Sequence, residues 1–360
     1  MSPDRTAFVT RYHDWSRRSA IGLILVTLLA VAAGIWGGRV PREERKINPH
    51  SPSDAAVLCM IIERVHAGDN YYVAAGEELR SFGYGVRSVF NWRPPLYAWF
   101  LGGLPSLTWG RAILGSLATI ALVCTIMPIV RDESYWLALL TVWFVTTACF
   151  ECFKSEGVGS TESWAGVLIL LSVFAYSDHR WPVGFVLGLI ALFFRELAAP
   201  YVIICIALAM IAKRWREITA WACGLALFAI YFAIHVVRVH QHIRPHDLGY
   251  SSGWVQFGGF HFIDDTVSQM AFLFFGPLWL AGIILPLALV GLLGKRDEFG
   301  TRATLTIVLY IAMFAVVGKS FNAYWGQMDA PLLAFGLPWL IPSARDLWRV
   351  IHRPAAPATI

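Results

Sequence analysis

The sequence predicts an all-α, polytopic membrane protein with about ten transmembrane helices and a helical first external loop. Three observations carry this expectation. Of the 360 residues, 57% are hydrophobic and 15% charged, too little polar side chain to clothe a soluble protein of that size. Apolar runs close to the roughly 20 residues that span a bilayer recur along most of the chain. The basic residues, which leave a formal net charge of +5, gather at the ends of those runs. That is the placement of topology signals, and it argues against a nucleic-acid partner.

The expected spans are 19–37, 109–130, 134–151, 160–177, 181–195, 196–212, 216–238, 267–293, 303–320 and 327–343. The first follows a basic tail with Arg11, Arg17 and Arg18 and could pass for a secretory signal. It is long and no small-residue cleavage site precedes the polar loop, so an anchor is expected. Short basic loops at Arg131, Arg180, Lys213-Arg214-Arg216, Lys295-Arg296-Arg302 and Arg345-Arg349-Arg353 belong to the cytoplasmic side. The N-terminus and a tail at 344–360 join them there, as ten spans permit.

The run 94–105 is too short to span and has proline at each end. Counted as a span, it would put every later basic loop outside. It is expected as an amphipathic or re-entrant helix at the outer surface. Four polar regions then face outward, at 38–108, 150–161, 239–266 and 319–325. Arg195-Glu196 forms a fifth point, at the apex of the tight hairpin between the fifth and sixth spans. No internal repeat or linker is visible, so 1–360 reads as one membrane domain whose 38–108 loop carries juxtamembrane helices and the chemistry.

Most of the six cysteines fall in apolar runs, where a thiol behaves as a small hydrophobe. Cys149 and Cys152 make a C-x-x-C at a helix end, without a second pair or a thioredoxin-like setting. His240, His242, His246 and His261 lie beside Asp247, Asp264 and Asp265 at spacings that match no metal site, so a solvated loop is expected. Gly318-Lys319-Ser320 lacks the earlier glycine and the strand that a phosphate loop requires.

The remaining charges are concentrated. Ser53 or Asp54 stands at the N-cap of an apolar helix, and Gly68-Asp69 reads as a turn. Tyr71 and Tyr72 have the character of interfacial anchors. Pro94 and Pro95 fix the backbone after Arg93, so its guanidinium leaves a rigid corner suited to a phosphorylated head group. Glu162 opens the fourth span, with Glu151, Lys154 and Glu156 on the turn before it. Arg195 and Glu196 lie at or near hydrocarbon depth, where ionisable groups turn inward, pair or act.

In that order, SDAAVLCMIIERVHAGDNYY followed by NWRPPLYAWF resembles the first external loop of GT-C-type glycosyltransferases. The likeness is to the bacterial aminoarabinose, galacturonic acid and protein O-mannosyl transferases. Asp54, Gly68-Asp69 and Arg93-Pro94-Pro95-Leu96 fall in the family's order, Glu162 and Arg195 match its later charges, and the likeness covers about 20–240. The family's paired acids are Asp54-Ala55 here, and the soluble C-terminal domain of many relatives has no counterpart.

The resemblance implies a multi-pass protein of the bacterial inner membrane with its site facing the periplasm. It further implies transfer of a sugar from a polyprenyl-phosphate donor to a lipid, glycan or protein acceptor, with inversion. Asp54 would be the base with Asp69 in reserve. Arg93 and Arg195 would clamp the phosphate, and Glu162, Glu196 and Tyr72 would bind substrate. No cofactor is required, and a divalent metal is compatible. The alternative is a transporter or flippase of a lipid-linked or small polar substrate, which should show repeats or paired half-helices.

Overall fold

The structure, a computed structural model, describes residues 9–39, 52–131, 134–250 and 253–353. Residues 40–51 of the first loop and 354–360 of the tail lie outside that description. All regular elements among the described residues are helical, and their one β-type pairing is an isolated bridge between Val255 and Val317.

Helix α1 (Arg17–Gly37) precedes three short helices, α2 (Asp54–His66), α3 (Tyr71–Ser81) and α4 (Leu96–Gly102). Then come α5 (Leu107–Arg131), α6 (Tyr135–Ala148), α7 (Thr161–Ser177), α8 (Trp181–Phe194), α9 (Ala199–Ile211) and α10 (Trp215–His242). The short α11 (Gly259–Val267), α12 (Leu278–Gly294), α13 (Glu298–Val316) and α14 (Ala330–Ile351) complete the chain. Every expected span contains one of these helices. Four of them, α1, α5, α10 and α13, are long and apolar enough to cross a membrane. Helices α6, α7, α8, α9 and α12 are apolar but shorter.

Two expectations are corrected. The 267–293 run is not one helix, because Gly276-Pro277 interrupts it and α12 starts only at Leu278. The tail expected from 344 is helical to Ile351, since α14 carries on through Pro338 and Pro342. The short run after Pro94-Pro95 does form a helix, α4, which buries Tyr97, Ala98 and Leu101 and exposes Trp99 and Phe100.

The connections sort into two ends. Thr10 N donates to Asp346 Oδ2 at 2.8 Å, Arg11 Nη2 to the Lys295 carbonyl at 3.1 Å, and Arg214 pairs with Glu298 at 3.4 Å. Those contacts gather the loops at 213–216 and 295–302 and both termini of the described chain at one end. The short helices α2, α3, α4 and α11 occupy the other. Between them α7 is the axis, with every residue from Thr161 to Val173 buried. Close approach on the flank needs glycine: a Cβ on Gly34 of α1 would lie 2.6 Å from Gly282 Cα of α12.

Candidate active site

The site is assembled on the N-terminus of α7. Ser160 caps that helix, its Oγ accepting from Ser163 N at 3.1 Å. Glu162 therefore falls in the first turn, where unpaired N–H groups favour a carboxylate. The first turn of α2 lies directly against this start. A Cβ on Gly159 would come 2.2 Å from the Ala55 carbonyl, so a residue with any side chain would push the two apart. Ser53 caps α2 through Ala56 N at 3.0 Å and also donates to Glu156 Oε2 at 2.6 Å. Asp54 is thereby the first residue of a helix clamped beside Glu162.

Glu162 gathers two arginines. Arg195 Nε lies 2.8 Å from Glu162 Oε1, off the N–H axis, so the contact is an ion pair more than an aligned hydrogen bond. Arg93 Nη2 lies 3.4 Å from the same oxygen, and Thr161 Oγ1 donates to Oε2 at 3.0 Å. Arg195 Nη1 also reaches Glu196 Oε1 at 2.5 Å. The Glu162 and Arg195 side chains are 2% and 1% exposed. Charges so buried persist only when compensated, and two carboxylates against two guanidinium groups supply that balance.

The Arg93 corner is strained as well as proline-bounded. Its φ is +38°, a left-handed conformation unusual before proline that costs about 1–3 kcal/mol. The Tyr71 hydroxyl holds it, donating to the carbonyls of Trp92 and Arg93. Arg93 Nη1 donates to the Phe90 carbonyl at 3.1 Å and Nη2 to the Tyr324 hydroxyl at 2.9 Å. The guanidinium is thus oriented before any ligand arrives.

A cleft of about 700 Å³ opens above this cluster, lined among others by Asp54, Glu156, Arg93, Glu162, Tyr324 and Gln327. A smaller chamber of about 250 Å³ adjoins it, sharing Asp54, Arg93 and Tyr324 and walled by Phe82, Tyr250 and Phe321. The Tyr84 hydroxyl donates to Asp54 Oδ1 at 2.5 Å and fixes the carboxylate at the junction. Arg80 of α3 ties the segment after α10 to it, gripping Asp247 through Nε at 2.7 Å and Nη2 at 2.9 Å. That grip holds the Asp247 carboxyl down at about 2.

Not every expected residue joins. Asp69 lies in the turn after Gly68, exposed and paired with Arg64 at 2.7 Å, and does not line the cleft. Tyr72 turns toward α10, its hydroxyl 3.3 Å from His235 Nδ1. Arg195 sits behind Glu162, so of the two expected phosphate contacts Arg93 faces the cleft and Arg195 does not. Glu196 contacts the site through Arg195.

Sequence reasoning missed Tyr84, Tyr324 and Gln327, which carry no local signal and arrive from segments far apart in the chain. No three His, Cys, Asp or Glu side chains gather as a metal set among the described residues. Comparison of the chain with protein-family models, with curated proteins and with solved structures finds no match.

Proposed function

We propose that this chain is a ten-span membrane enzyme that transfers a sugar from a polyprenyl-phosphate donor to an acceptor hydroxyl in the cleft. The observation that carries the proposal is the cleft itself. It brings Asp54, from the first turn of α2, to the same wall space as Arg93, from the corner before α4. A carboxylate and a fixed cation facing one cavity are the two groups that this displacement needs.

Asp54 takes the proton of the acceptor hydroxyl while that oxygen bonds to the anomeric carbon. The bond from that carbon to the donor phosphate breaks, and polyprenyl phosphate leaves with the electron pair. Arg93 meets the departing charge. One displacement at one carbon inverts its configuration. Glu162 acts by holding Arg93, and Arg195 acts at one remove by holding Glu162. The Arg93 contact with Glu162 is the longer of the two, 3.4 against 2.8 Å, which leaves its guanidinium able to share itself with a phosphate.

In this reading the basic end faces the cytoplasm and the cleft faces the periplasm of a bacterial inner membrane. The test is a comparison by mass spectrometry of lipids from cells with and without the gene. Loss of the gene should leave a polyprenyl-phosphate sugar unconsumed, and identical extracts would contradict the proposal.

A further inference from the structure

Away from the Asp54 cleft, α3, α4 and α10 border an open pocket of about 290 Å³, lined by Asn70, Tyr72, Trp99, Ile234, Arg238 and His242. Its back wall is a polar stripe on α10. Tyr231, His235, Arg238 and His242 follow one another at three- or four-residue steps and so share a helix face. The Tyr231 hydroxyl accepts from Leu96 N at 2.9 Å, joining the stripe to the start of α4. The Tyr72 ring lies between the rings of His235 and His242, with centroids 5.8 and 5.6 Å away. The wall is built without help from a ligand.

The height of the pocket identifies its surroundings. Helix α10 has 28 residues, roughly 42 Å at 1.5 Å per residue, against about 30 Å of hydrocarbon. Arg238 lies one turn before its outer end and so falls in the head-group layer. Ile234 and Val237, each 56% exposed, present the apolar flank of α10 just below it. Trp99, 47% exposed on α4, has the position of an interfacial aromatic. Arg238 is exposed and makes no ion pair among the described residues.

We propose that this pocket binds the phosphate of a membrane lipid, with Arg238 as its counter-charge, Asn70 beside it, and Trp99 and Ile234 bordering the acyl or prenyl chain. An isolated arginine that only reached for the interface would need no pocket beside it and no Tyr72 ring stacked on His242. Two lipids carry the required group: an anionic phospholipid, and the polyprenyl phosphate of the proposed reaction. The site is separate from the cleft, and the inference stands whether or not that reaction is right.

The experiment uses the full-length protein, delipidated in neutral detergent and titrated under native mass spectrometry. The probes are matched pairs: phosphatidylglycerol against diacylglycerol, and polyprenyl phosphate against polyprenol. The phosphorylated member of at least one pair should bind tenfold or more tightly, and Arg238→Ala should remove about tenfold of that preference. Arg238→Lys should keep part of it, and Arg216→Ala at the other end of α10 should keep all of it. Discrimination in the first pair alone marks a phospholipid site, and in the second alone a donor site; either supports a phosphate site. Equal binding within both pairs would overturn the proposal. So would unchanged preference in Arg238→Ala, or in Arg238→Gln should the alanine variant not fold.

Discussion

Glu162→Gln is the perturbation that most directly weighs the buried charge cluster. The substitution keeps shape and volume, so no cavity is created, and Thr161 can still donate to the amide oxygen. What disappears is the charge that faces Arg195 at 2.8 Å and Arg93 at 3.4 Å. Removing one partner of a buried ion pair costs about 3–5 kcal/mol, because the other charge is left in a poor solvent. Glu196 and the Tyr324 hydroxyl remain to the two arginines, which puts the expected loss at the lower end, about 3 kcal/mol. Equilibrium unfolding in mixed micelles would read it. Glu156→Gln, in the same cleft but exposed, should stay within about 0.5 kcal/mol of wild type. Adding Arg195→Met to Glu162→Gln should recover at least about 1 kcal/mol relative to additivity, since the two side chains are in direct contact. A Glu162→Gln protein as stable as wild type would refute the reasoning, and the cluster would then hold nothing together.

The remaining predictions concern titration and topology. Burial pushes the Asp264 carboxyl up to about 8, with Asp265 beside it adding repulsion. A folded-state value above the unfolded one means stability is complete below about pH 4 and declines as pH rises toward 8. Asp264→Asn should flatten that decline, and an unchanged pH profile of the melting temperature would exclude Asp264 as its source. In a cysteine-free background, single cysteines at 155 and 250 should react with an impermeant external thiol reagent in sealed cells, and cysteines at 213 and 295 should not. Labelling at 213 or 295 would overturn the orientation and move the cleft to the cytoplasmic side.

The helices were legible in the sequence because apolar runs and caps are local. Ser53 before Asp54, Gly68 at φ +102° before Asp69, and Ser160 before Glu162 each mark a boundary that the structure keeps. What was not legible is the direction in which each charge turns. Asp54 and Asp69 are alike in sequence, each beside a short helix. One faces the cleft because Gly159 lets α2 press against α7, and the other faces Arg64 across its own turn. Arg195, set between apolar runs, correctly demanded a partner, but which carboxylate would meet it depended on the packing of α7 against α8. The late start of α12 shows the opposite failure, in which apolar composition outweighed the Gly276-Pro277 break.

The central claim is that Asp54 is the base of a sugar transfer, and turnover of Asp54→Asn tests it most directly. Ser53, not Asp54, supplies the cap of α2, so asparagine should leave the helix, the expression level and donor binding intact. The negative charge, and with it the capacity to accept a proton, is removed, and general-base catalysis is commonly worth about 10²–10⁴-fold. Turnover of a polyprenyl-phosphate sugar should fall by that factor, while Asp69→Asn, outside the cleft and paired with Arg64, should remain close to wild type. Turnover near wild type in Asp54→Asn, or a dead Asp69→Asn beside an active Asp54→Asn, would contradict the account.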